Sequence, residues 1–296
     1  MNKLLLLLIM SAATFTVFAQ TDLSVTETIR PNSKGNFNSF QVTIPQTKLK
    51  DVERDWQKYL RDGSKGKPET LNGEIIMRGA VSKNVSPNPF TVYSKLLETT
   101  GGVVLTAWIT EDDSVFISAE LNNDKDLAAK KYVRDFAVEE YKEVVKEELK
   151  SEKKTLNNLE DELKSLINDE DKSRKKVNEC DRSIQRNRTA ISTNEGDQKN
   201  KIEQITAQKK IAEGLRTMPD AYKEANKTLK TYEEDLKKLQ KENEKLNKEI
   251  DGWQKDIRTE ERSIDRSKAD QKLKTEQIEK QKSVVKTVEE KLAGIK

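Results

Sequence analysis

Histidine is absent from this 296-residue chain. That removes the side chain most often used for proton transfer near neutral pH and for zinc ligation. A single cysteine, Cys180, excludes an intramolecular disulfide. Hydrophobic residues make up only 33% and aromatics 5%, against 36% charged residues. Typical globular domains hold about 45–50% apolar and about 25% charged residues, so one large compact core is excluded. Charge of one sign is lacking too. The 55 basic and 52 acidic residues leave a net charge of +3, which gives no general field for nucleic acid.

What is present begins with an address. Lys3, the apolar stretch opening at Leu4–Ile9, and Val17-Phe18-Ala19 read as a secretory signal over residues 1–19, with cleavage before Gln20. The stretch falls short of the ~20 residues a spanning helix needs. No later segment approaches that length, and no cysteine follows for a lipid anchor. The mature chain is therefore expected in a periplasm-like compartment or outside the cell, with no integral membrane segment.

The chain changes character near residue 123. Five of the six prolines lie between Pro31 and Pro89, and only Pro219 follows. Residues 124–296 hold 42 Lys/Arg and 39 Asp/Glu in 173 positions. Residues 20–36 are polar and read as a flexible lead-in. Residues 37–123 read as a small α/β domain. Phe40, Val42 and Ile44 alternate as a strand; Leu49, Val52, Trp56 and Leu60 mark one face of a helix over 47–61. A hairpin is expected around Arg78-Gly79, a strand at Phe90–Tyr93, and two more at Val103–Ile109 and Val115–Ala119. The fold class is α+β: an antiparallel sheet covered on one face by two helices, the second being the start of a long helix at Tyr132–Ala137.

From Leu149 a seven-residue repeat sets in. Its a positions run Leu149, Leu156, Leu163, Glu170, Val177, Ile184, Ile191, Gln198, Ile205 and Ala212, with d positions including Leu159, Leu166, Cys180, Asn187 and Asn194. A second run has a positions from Tyr222 through Leu229, Leu236, Asn243 and Ile250 to Leu292, and d positions from Ala225 through Trp253 to Ile295. Such length predicts a coiled coil. Pro219 belongs in a first helical turn, Thr217 and Asp220 suit an N-cap and its third residue, and Gly214 suits a helix end. The expectation is a long helix over 124–214, a turn at 215–219 and a second helix over 220–296, folded back as an antiparallel hairpin of about 110 Å. Two registers would pair a buried asparagine with Asn243, either Asn194 or Asn187. A parallel two-chain rod is the rival, and in it Cys180 would meet its own copy.

Residue types that could carry chemistry have plainer readings. Asp112-Asp113 suits a turn, and Gly101-Gly102 has no following helix and lysine to make a phosphate loop. Cys180 and Trp253 are seam residues. Arg174-Lys175-Lys176 and Lys199–Lys201 belong to a solvated helix face. No catalytic, cofactor-binding or metal-ligating residue is assigned, and no cofactor is expected. The residues singled out for partner binding are Leu215, Arg216, Met218 and Tyr222 at the hairpin tip; the sheet face opposite the helices is the other place for a ligand or peptide.

In layout the chain resembles the Skp-type periplasmic holdase chaperones, which are exported, histidine-poor and carry long helical arms on a small β-containing body. There the hairpin is inserted within the body; here it follows the whole domain. The hairpin is also similar to that of membrane-fusion adaptors, without their flanking β-rich halves. Neither resemblance supplies a residue motif. The resulting expectation is a non-enzymatic structural or adaptor protein of the cell envelope with protein partners, no nucleic acid and possible self-association. A Skp-like holdase is the alternative, and an enzyme site within 36–122 the third.

Overall fold

A computed structural model describes residues 23–296; the signal segment 1–19 lies outside the described residues. Six strands, β1 (Thr26–Asn32), β2 (Gly35–Pro45), β3 (Glu69–Leu71), β4 (Glu74–Ala80), β5 (Phe90–Thr99) and β6 (Gly102–Thr110), form one antiparallel sheet in the order β1-β2-β6-β5-β4-β3. Helix α1 (Leu49–Arg61) links β2 to β3, and two long helices follow, α2 (Asn123–Gly214) and α3 (Pro219–Gly294). Two compact units result: residues up to 156 together with 281–296, and residues 157–280.

In the first unit, alternation places Phe40, Val42 and Ile44 of β2, Val92 of β5 and Val103, Leu105 and Ile109 of β6 on one face of the sheet. Cross-strand neighbours such as Val42 and Leu105 make this face a continuous apolar floor. Onto it pack Val52, Trp56 and Leu60 of α1 and Tyr132, Val133, Phe136 and Ala137 of α2, the two covering helices the periodicity predicts. The folded-back C-terminal end adds a third cover: Val288 and Leu292 of α3 and Ile295 just past it join the same cluster, and Arg134 donates to the Lys296 carbonyl at 2.8 Å. Trp56 is fully buried and its indole N–H donates to Ser94 Oγ at 2.8 Å.

Three local expectations are corrected. Part of the supposed flexible lead-in is β1, an edge strand. Its sequence is polar and contains Pro31, so it lacks a strand's alternation. It pairs along its length with β2, and tertiary bonds add to the ladder: Lys130 of α2 reaches Glu27 at 3.2 Å, and Trp108 Nε1 donates to the Arg30 carbonyl at 3.2 Å. The hairpin expected at Arg78-Gly79 lies instead at Asn72-Gly73, whose positive φ values (51° and 76°) suit a two-residue reverse turn. Gly79 marks a register shift within β4. Residues 115–119 form no strand; Phe116 makes only an isolated bridge to Thr110.

In the helices, every a and d position named above is buried or half-buried. The helices pack against each other as a hairpin, and α2 runs unbroken through Asn194–Asp197. Polar seam residues fix the register. In the second unit, Gln208 donates to the Ala225 carbonyl, Asn187 to Leu246 and Ser267 to Leu166, at 3.0, 3.4 and 2.9 Å. Each pair is equidistant in sequence from a point between Arg216 and Thr217, and so are Gly214 and Pro219, where the helices end and begin. In the first unit, Gln281 and Glu152 keep the same spacing. The tight turn therefore sets the register, between the two that would pair asparagines. Neither Asn194–Asn243 nor Asn187–Asn243 forms a hydrogen bond: Asn187 donates to Glu249 at 2.9 Å, and Asn243 Oδ1 has no partner.

Leu236 tests the seam. Leu236→Asp puts a charge at a half-buried a position and should destabilise the second unit by about 2–4 kcal/mol. In a Trp253→Phe background the helical signal should melt earlier while Trp56 and Trp108 fluorescence in the first unit holds. An unchanged melting curve would refute the heptad assignment.

Candidate functional site

Of the chemical candidates, Asp112 turns its carboxylate inward on the turn. It accepts the backbone N–H groups of Val115 and Ser114 at 2.9 and 3.0 Å, which hold its pKa below the usual carboxylate range. Asp113, at φ 65°, accepts the Tyr93 hydroxyl at 3.0 Å. Burial, then that bond, push the phenol up to about 12. Among the described residues no group of three or more Cys, Asp or Glu side chains is placed to hold a metal ion. Cys180 is buried on the seam, which pushes its thiol up; Asp256 of α3 adds to the effect. Trp253 is half-buried there. The basic clusters are matched by acids: Arg174 with Glu170, Lys175 with Asp171, Lys176 with Glu260 and Lys201 with Asp235.

The sheet face opposite the helices, expected as a place for a ligand or peptide, is covered in part by the chain itself, while Leu97 of β5 on the same face is 66% exposed. Ile76, Tyr93 and Trp108 form a row across β4, β5 and β6, and Phe116 and Phe37 cover it, their rings 4.1 Å apart. Beside them, Glu74 of β4 is 1% exposed, and its two oxygens accept the Ser33 N–H at 3.0 and 3.2 Å. The β1–β2 turn is thereby tied across the sheet. Lys95 stands 3.3 Å from the same carboxylate and over the Trp108 ring.

A cleft of about 170 Å³ lies beside Tyr59, Asp62, Ser82, Asn84 and Lys131. Small-molecule sites run to about 300–1,000 Å³, so it suits water or an ion better than an organic cofactor. Nearby, burial first and the charge of Asp55 second raise Glu140 to about 7. The folded state then holds this proton more tightly than the unfolded chain, so stability falls as pH rises from about 4.5 to 7. Glu140→Gln should stabilise the first unit by about 1 kcal/mol at pH 8, its half-exposed position limiting the effect, and change little at pH 4. Denaturant titrations at the two pH values check this.

The hairpin tip remains. Pro219 occupies the first position of α3, where its missing N–H costs nothing. Met218 is the N-cap, since its carbonyl accepts the Tyr222 N–H at 2.8 Å. Thr217 therefore stands one residue too early to cap, and Gly214 does not adopt the left-handed cap conformation. The turn brings Leu215, Arg216, Met218 and Tyr222 together. Leu215 and Tyr222 are half-buried; Met218 is 58% exposed, and the Arg216 guanidinium lies 3.9 Å from Glu213 in open solvent. Ile211 belongs with them. Ile211 is 53% exposed, and its g position off the apolar seam was the available signal. No family model matches the chain, and no curated protein is significantly similar to it.

Proposed function

We propose that the chain is an exported, non-enzymatic adaptor of the cell envelope whose hairpin serves as spacer and helix-recognition element, with its tip offered to a protein partner. The observation that carries this reading is the exposed apolar pair at the turn. The a and d residues are covered along both helices, and Ile167, Ile202 and Leu273 are exposed at scattered positions off the seam; at the turn Ile211 and Met218 are both more than half exposed, seven residues apart across the fold-back. Exposed apolar side chains rimmed by polar ones are what contact surfaces use. The closed seam also supports an adaptor over a Skp-like holdase, which needs an open apolar surface for clients.

Site-specific photo-cross-linking in the native cells tests it. A benzophenone side chain replacing Met218 should give a discrete protein adduct, and the same group replacing Thr189, outward on α2, should not. Equal adducts at both places, or none at Met218, would refute tip recognition.

A further inference from the structure

The turn carries a net positive charge, as does α2 over residues 172–188. Residues 205–230 hold six basic side chains, Lys209, Lys210, Arg216, Lys223, Lys227 and Lys230, and three acidic ones, Glu213, Asp220 and Glu224. Six of the chain's 55 basic residues and three of its 52 acidic ones lie there, leaving 49 of each elsewhere. Lys210, Lys223 and Lys227 are exposed, flanking the apolar pair Ile211 and Met218. Resting on the tip-docking reading, we infer that the tip recognises an acidic protein surface holding an apolar slot: Met218 and Ile211 enter the slot and the flanking lysines face carboxylates around its rim.

An anionic bilayer has the same sign but fits less well. Glu213, Asp220 and Glu224 are interleaved with the lysines, and a uniform anionic plane would face all of them at once. A protein surface can set its own cations against the acids. The exposed apolar area is also small for insertion into lipid, with Leu215 and Tyr222 half-buried.

The experiment uses the full chain with the benzophenone at Met218, in native cells. Lys210→Glu, Lys223→Glu and Lys227→Glu together should lower the protein adduct about tenfold or more. The same number of reversals at exposed mid-hairpin sites, Lys245→Glu, Lys248→Glu and Lys255→Glu, should leave it unchanged. Circular dichroism of each purified variant establishes that the helices persist; a tip variant that has lost them is replaced by Lys210→Gln, Lys223→Gln and Lys227→Gln, expected to lower the adduct several-fold. An adduct indifferent to tip charge overturns the acidic surface and leaves tip docking standing. No protein adduct at Met218 overturns docking itself. Purified chain that sediments with phosphatidylglycerol vesicles but not phosphatidylcholine vesicles, and loses this on tip reversal, overturns the protein partner in favour of a membrane.

Discussion

Glu74→Ala should destabilise the sheet-bearing unit by about 2–3 kcal/mol, the upper range for leaving a buried donor without its acceptor, since the Lys95 side chain is 43% exposed and water can take up its charge. Glu74 is 1% exposed and accepts the Ser33 N–H with both oxygens, and Lys95 stands 3.3 Å away. Removing the carboxylate leaves a backbone donor without an acceptor and an ammonium without its counter-charge. It also releases the β1–β2 turn from β4, so the cover over Trp108 and Tyr93 should loosen. Glu74→Gln keeps one acceptor for Ser33 but sets an amide beside Lys95, and should lose about half as much. Tryptophan fluorescence in urea reads both variants. A cost below about 1 kcal/mol for the alanine would mean that the tie is solvent-replaceable.

Gly102→Ala should cost about 3–4 kcal/mol, while Gly101→Ala, one residue earlier, should stay within about 0.5 kcal/mol of the parent. Gly102 has φ 140°, and a Cβ there would lie 2.1 Å from the Ile44 carbonyl oxygen and 2.9 Å from the Pro45 Cα. Both obstacles are backbone of the paired strand β2, so relief requires moving the β2–β6 ladder. Around Gly101 there is nothing within 4 Å. Paired melts of the two variants isolate the close approach from the loss of chain freedom that both substitutions share. Equal costs would show that the contact yields.

Much of this architecture is legible without coordinates because its grammar is local. The seven-residue spacing from Leu149 to Leu292 states a coiled coil at each turn of helix. Pro219, tolerated only where a helix begins, states where the chain folds back. Phe40-Val42-Ile44 and the helix face around Trp56 announce their burial by period. Asn72-Gly73 is an equally local turn signal, whereas the glycine of Arg78-Gly79 makes a bulge. At the tip, Leu215, Arg216, Met218 and Tyr222 follow from the turn's position, and Ile211 from counting heptads outward.

By itself, then, the sequence determined the two kinds of structure, the fold-back point and the seam, since each rests on spacing along a few neighbouring residues. Polar Thr26–Asn32 becomes a strand by pairing along its length with β2, and bonds from Glu27 to Lys130 and from Arg30 to Trp108, which only the tertiary structure supplies, hold that hairpin to the rest of the unit. Tertiary structure also decided that Phe37 and Phe116 stack over part of the second sheet face, and that Asn187 binds Glu249 while Asn243 Oδ1 has no partner. Those outcomes depend on which distant groups meet. In the seam that was fixed by the five-residue span from Gly214 to Pro219, whose centre sets every cross-helix partner at once.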